Sequence, residues 1–264
     1  MGFATRWNVR ESLGSNFLQS FITTSRGSVW MALTLKPGIL SVASAYPDPP
    51  FELADGSENG FDIDLMHAVC AHLGVQLQRQ RYLADNFDGI FDGLNKGTCD
   101  AVISGTTITP DREAIVQFSV PYLEFNQGVA VNRERTPRAS EESDLRGLTA
   151  GIQVGNTSDF VARRWVASGV IAGIRYYPYD GIQTALHDLE AGDIGLVIKL
   201  FPVIAWLTKS RPMLAVSMQV PTHEKLGIAF AKDNTALCSA ANGVLREIDG
   251  NGEFDKLRAR WFPQ

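Results

Sequence analysis

The sequence is short of the residues that carry most catalytic and metal chemistry. It has three cysteines (Cys70, Cys99, Cys238) and four histidines (His67, His72, His187, His223) in 264 residues. No two cysteines stand at C-x-x-C spacing, so neither a local dithiol nor a zinc knuckle is encoded. Cys70 falls in a helical apolar pattern and Cys99 beside a strand, so they read as small buried hydrophobes. One disulfide stays open, and the cysteines do not fix the redox compartment. His67 and His72 are five apart on a helix, about 140° round its axis, and do not share a ligand face. G-x-S-x-G, H-E-x-x-H and phosphate-loop motifs are absent. Excess positive charge is absent too: the net charge is −5, which argues against nucleic acid or an anionic membrane as partner. No run approaches the ~18 apolar residues of a spanning helix. The best, Leu196 to Trp206, is interrupted by Lys199 and Pro202.

What remains is 45% apolar and 20% charged, enough for one large domain or two small ones. Residues 1–37 show little period and read as a loosely attached extension. Arg6, Arg10 and Arg26 precede the short apolar piece "SVWMALTL", which fits a degenerate export signal, a misassigned start or a cytosolic extension. From Gly38 the period sharpens. "GILSVAS", "VQLQRQRY" and "CDAVISG" read as strands, with helices over "GFDIDLMHAVCAHLG" and "GIFDGLNKG" between them. After the charge-rich connection "NRERTPRASEESD" a second alternation begins at "LTAGIQVG" and continues through "IGLVIK" to two closing helices. The fold class is α/β with two lobes, each a mostly parallel sheet flanked by helices. Residues 38–131 plus 227–264 are assigned to lobe 1 and 132–226 to lobe 2, with two extended crossings near 128–134 and 226–232 forming a hinge. Ligands in such sheets sit at the carboxyl ends of strands, which marks the loops after Ser44, Tyr82 and Ser104.

Two of these loops are built for an anion. Thr109-Pro110 reads as an N-cap followed by proline at the first helical position, which places Arg112 on the first turn beside Ser104-Gly105-Thr106-Thr107. Loop amides, the Thr107 hydroxyl and a guanidinium fork are all donors and suit a carboxylate. The competing reading is a surface arginine paired with Asp111 or Glu113. In lobe 2, Gly155, Asn156, Thr157 and Ser158 link a strand to a helix, where free amides and the helix dipole attract an anion. Alternatively, Thr157 or Ser158 merely caps that helix.

The motifs "PPFE", "GFDIDLM", "FDGIFDGLNKGTCDAVISGTTITPDRE", "VQFSVPY", "IQVGNTSDF", "LGIAFAKD" and "GNGEFDKLRARWF", in this order over residues 36–262, resemble the amino-acid-binding proteins of bacterial ABC importers, with the type II periplasmic-binding-protein fold. The resemblance implies a periplasmic or cell-surface monomer that traps a solute between closing lobes and docks on membrane subunits, with no cofactor. It places the α-carboxylate on Arg112, on Ser104, Gly105 and Thr107 of one lobe, and on Thr157 of the other, in the turn formed by Gly155 and Asn156. It places an aromatic packing surface on Phe87. Two positions depart from the family pattern. Asp48 stands where an aromatic is usual, and Leu200, after Lys199, stands where an aspartate usually grips the ligand ammonium. Either Asp48 takes the ammonium, or the ligand lacks one and Lys199 binds a second anionic group. Solvated surface roles for Asp48 and Lys199 are the plain alternatives. A related enzyme class on this scaffold, the cyclohexadienyl (prephenate or arogenate) dehydratases, is the alternative function.

Overall fold

The computed structural model describes residues 33–45, 48–53, 59–137 and 139–262. Residues 1–32, with Arg6, Arg10, Arg26 and most of "SVWMALTL", lie outside them, as does Tyr46. The chain forms two five-stranded sheets. The first contains β1 (Ile39–Ala45), β2 (Gln76–Tyr82), β3 (Ala101–Val102), β4 (Val116–Phe118) and β10 (Ala229–Ala231), in the order β2-β1-β3-β10-β4. The second contains β5 (Leu123–Asn132), β6 (Thr149–Gln153), β7 (Gly173–Tyr177), β8 (Leu196–Leu200) and β9 (Leu214–Leu226), in the order β7-β6-β8-β5-β9. In each sheet three strands run parallel and returning strands add antiparallel pairs.

Local sequence explains these elements. β1 is apolar apart from two serines and buried along nearly its whole length, as a parallel strand covered on both faces must be. β2, at the sheet edge, alternates Gln and Arg with partly buried positions, which discourages edge-to-edge pairing. Helix α1 (Phe61–Leu73) stops where Gly74 adopts the left-handed conformation at φ 68. The short helices α2 (Asp92–Asn95) and α3 (Pro110–Ile115) follow; Thr109 caps α3 by accepting from the Arg112 N–H at 3.3 Å. Lobe 2 carries α4 (Ser158–Ala167), α5 (Ile182–Ala191) and α6 (Phe201–Thr208).

The closing helices α7 (Thr235–Gly250) and α8 (Glu253–Trp261) return to lobe 1, where Leu245, Ile248 and Phe254 pack with Phe61, Leu73 and Met66. Burial of each such side chain contributes about 1.5–3 kcal/mol. Lobe 2 has its own core around Trp165, Leu145 and Ile152. Among the described residues no helix is long and apolar enough to cross a membrane.

Two expectations change. Residues 33–36 are attached rather than loose: the Leu35 N–H donates to Asp100 Oδ1 at 2.7 Å, while Oδ2 accepts from the Ser41 N–H at 2.8 Å. The first crossing also falls earlier than 128–134, because Gln127 to Val131 pair with β8 and β9 inside the second sheet. The chain passes between the sheets at 119–122 and returns at 227–228. β5 is one continuous strand, so its sequence carries no mark of where sheet membership begins.

Candidate functional site

The carboxyl ends of β1, β3, β6 and β8 face one another across the gap between the lobes, and their loops line a narrow cavity with about 30 Å³ of free space. This is well below the range for ligand sites, so a solute fits only if the lobes part. The lobes touch around it: the Phe87 N–H donates to Val154 O at 3.2 Å and the Tyr179 N–H to Asp85 O at 2.8 Å. Asp48, Phe87, Ser104, Gly105, Thr107, Arg112, Asn156, Thr157 and Lys199 all line the cavity, and Gly155 sits just outside it.

Arg112 is buried and its guanidinium faces this gap, held by neither Asp111 nor Glu113. Nε and Nη2 donate to Asp88 Oδ1 at 3.0 and 2.9 Å, Nη1 to Thr107 O at 2.9 Å, and Nη2 also to Gly155 O at 3.0 Å. Four of its five N–H groups are thereby spent on protein acceptors. The charge nevertheless stays in the gap, over the rings of Phe87 and Phe91 at 5.0 and 5.5 Å. Asp88, a residue the sequence does not single out, is half exposed and is the solvent-facing half of this pair.

Lys199 and Asp48 are neither solvated nor snorkelling. Both are buried in the cavity wall, and Lys199 Nζ lies 2.7 Å from Asp48 Oδ1 as an ion pair across the lobes. Burial pushes the Asp48 carboxyl up, and the lysine ammonium partly offsets this. Lys199 also lies 5.6 Å from the centroid of the Tyr179 ring, and that ring packs on Phe87 at 5.0 Å. Leu200 lines the cavity beside them and offers no charge to an ammonium.

Other assigned groups are already engaged. The Gly105 N–H donates to buried Asp62 Oδ2 at 2.6 Å, so it is turned away from a ligand. The Ser104 hydroxyl bonds the backbone of Ala45, and its N–H donates to Thr106 Oγ1. Thr157 does not cap α4. Its hydroxyl donates to Glu224 Oε2 at 2.6 Å, as does that of Thr107 at 2.7 Å. Gln127 Nε2 donates to Glu224 Oε1 at 2.7 Å. A carboxylate near the end of β9 thus ties a threonine of each lobe together. Asn156 Nδ2 donates to Gln153 Oε1, which fixes the turn.

Gly155, at φ 83, is required for contact. A Cβ there would lie 2.2 Å from Asn86 Oδ1 and 2.8 Å from Phe87 N in the opposite lobe.

Three buried lining groups point to a ligand and escaped the sequence reading as site residues. Ser158 Oγ, Gln127 Oε1 and the Tyr179 hydroxyl have no protein partner of hydrogen-bonding geometry. Buried polar groups without partners are costly, so this clustering around one cavity marks a polar occupant. Burial holds the Tyr179 phenol well above its ordinary range, so it stays a donor. At the start of α4, the amides of Thr157 and Ser158 lack intrahelical acceptors by position. Gln127 follows Glu124 and Asn126 in β5, so nothing in the pattern sets it apart. Ser158 belongs to the turn that the sequence marks for an anion, but through its amide rather than its hydroxyl.

Behind Gly105, lobe 1 buries Glu52 and Asp62 together. Burial pushes Asp62 up to about 7 against the Gly105 N–H that steadies its anion, and burial with the Asp62 charge holds Glu52 well above its ordinary range. Among the described residues no group of histidine, cysteine and carboxylate side chains is arranged to hold a metal.

The sequence pattern of the bacterial extracellular solute-binding proteins, family 3, matches residues 40–264. A probable histidine-binding protein of Neisseria gonorrhoeae is 32% identical over 86% of this chain and 84% of its own. The ABC transporter arginine-binding protein 1 of Escherichia coli K12 is also 32% identical, over 84% of this chain and 89% of its own. An ancestral arginine-binding protein bound to arginine superposes with a TM-score of 0.76 at 31% identity, covering 85% of this chain and 98% of that one. An ancestral amino acid-binding protein described as a precursor of cyclohexadienyl dehydratase superposes at 0.75 and 30% identity, covering 89% and 99%.

Proposed function

Because this chain belongs to the bacterial extracellular solute-binding proteins, family 3, we propose that its interlobe cavity captures an amino acid or close derivative by the α-carboxylate. It then presents this ligand, as a monomer outside the cytoplasmic membrane, to the membrane subunits of an ABC importer. The observation that carries the reading is convergence. Arg112 from lobe 1, the first turn of α4 from lobe 2, and the partnerless Ser158, Gln127 and Tyr179 groups all meet in one enclosed space. The names of the relatives, histidine- and arginine-binding, agree with an amino acid as the occupant.

The ligand carboxylate takes the remaining Arg112 N–H and the α4 amides, drawing the guanidinium from Asp88. Phe87 and Tyr179 cover the apolar part, and Asp48 receives the ammonium. A dehydratase would need an acid free to protonate a leaving hydroxyl. Among the described residues the carboxyl side chain lining the cavity is that of Asp48, and it is engaged by Lys199, so we read the protein as a binder rather than an enzyme.

Calorimetry on Arg112→Met tests the clamp. Loss of one partner of a buried charge pair is expected to weaken amino acid binding by about 2–5 kcal/mol. Unchanged affinity would remove Arg112 from the site.

A further inference from the structure

We infer that Glu224 is a built-in competitor for the ligand carboxylate: it latches the lobes together in the absence of a solute, and a ligand binds by displacing it. The inference rests on the carboxylate-clamp reading above and deepens it. Thr107 and Thr157 line the cavity with Arg112, one from each lobe. Each hydroxyl has a single proton to give a carboxylate. Both protons go to Glu224 Oε2, at 2.7 and 2.6 Å, and Gln127 Nε2 donates to Oε1 at 2.7 Å. Two hydroxyls and an amide converging on one carboxylate form a carboxylate-binding set, and a side chain of the protein fills it. Among the described residues these donors are all neutral and no cation pairs with Glu224.

Glu224 reaches the threonines from outside the cavity. Thr107 and Thr157 line both the cavity and an outer interlobe groove of about 460 Å³, whereas Glu224 lines only the groove. The two threonines therefore stand between the compartments, and Glu224 ties them together. The cavity has about 30 Å³ of free space, so a solute enters only when the lobes part. Parting draws Thr107 away from Thr157, and Glu224 cannot follow both. A ligand carboxylate then meets freed donors. Once displaced, Glu224 is not stranded as a buried charge, because it is only half-buried and faces the open groove. The latch also selects: a solute without a carboxylate cannot replace the acceptor that the threonines give up.

The test compares the full chain with Glu224→Ala by small-angle scattering and calorimetry, with L-arginine, L-histidine, L-glutamine and L-glutamate as probes. Without solute, Glu224→Ala should have the larger radius of gyration, and it should compact more on binding. The tightest probe should bind Glu224→Ala about three- to tenfold more tightly, because no latched fraction has to be opened first. Glu224→Gln keeps the shape with a weaker acceptor and should shift both readouts the same way, by less. If Glu224→Ala does not fold, Glu224→Gln decides. Equal radii without solute overturn the latch. Unchanged or lower affinity in Glu224→Ala overturns the displacement, because Glu224 then stays in place when the ligand is bound. Equal radii together with binding that depends on Arg112 would sink the latch alone and leave the clamp intact. No binding by any of the four probes to either protein would sink the displacement and the clamp together.

Discussion

The cleft holds two buried cations, and they are held in opposite ways. Arg112 is paired with Asp88 in its own lobe, while Lys199 is paired with Asp48 across the gap. The first pair needs only the local fold. The second exists only where the lobes meet, so it reports closure. One cation is positioned by its own lobe; the other depends on how two sheets approach each other. Asp88 is also half exposed, whereas Asp48 and Lys199 are buried. Water screens the first pair and not the second.

The largest expected effect comes from preventing the lobes from meeting while leaving both pairs chemically intact. Gly155→Ala places a Cβ 2.2 Å from Asn86 Oδ1 and 2.9 Å from Asp88 N, at a φ of 83 that disfavours any side chain. Amino acid affinity should fall by roughly a thousandfold, near 4 kcal/mol, and small-angle scattering should show no compaction on adding ligand. Compaction with unchanged affinity would show that the Gly155 seat is not part of closure.

Next comes the cross-lobe pair itself. Lys199→Met leaves Asp48 buried without its cation and should destabilise the closed form by about 3 kcal/mol. A companion Asp48→Leu should recover much of this, since replacing a buried pair by apolar groups is often neutral. Urea unfolding of the single and double variants measures the coupling. A coupling near zero would mean that water enters between the lobes and screens this pair as it does Arg112–Asp88.

How much of this was legible in the sequence follows the same division. Arg112 was legible because a Thr-Pro cap and a single arginine lie within four residues, and the helix that positions it is local. The Gly155 turn was legible for the same reason. The partners were not. Glu224 reaches Thr107 from 117 residues away and Thr157 from 67, and neither period nor motif carries that information. Asp88 stands beside the recognised Phe87, yet nothing in "FDG" says that its carboxylate turns to a guanidinium 24 residues on. The departures Asp48 and Lys199 were visible one by one. That they pair with each other is a property of the closed gap.

A third, smaller effect sharpens the contrast by way of carboxyls buried beside Asp48. Asp62 is raised by burial from an ordinary 3.8 to about 7, so folding favours its protonated form. That contribution is complete below the ordinary value and is lost as the pH rises through about 7. Between about pH 4 and pH 7 stability should therefore fall by up to about 1.4 kcal/mol per pH unit for each proton released, and level off above that. Asp62→Asn, which keeps an acceptor for the Gly105 N–H, should flatten this slope in thermal melts. An unchanged slope would assign the titration to another group, Glu52 first.

The smallest effect belongs to Asp88→Asn, and its sign is the informative part. The side-chain oxygen of asparagine can still accept from Nε and Nη2 of Arg112, and the group is half exposed. Folding stability should therefore change by less than about 1 kcal/mol. Ligand affinity should rise a few-fold rather than fall, because the aspartate competes with the ligand carboxylate for the same guanidinium. Calorimetry at low ionic strength, where this competition is least screened, gives the clearest reading. A tenfold loss of affinity would reverse the comparison, making Asp88 the group that orients Arg112 for its ligand rather than the one that yields to it.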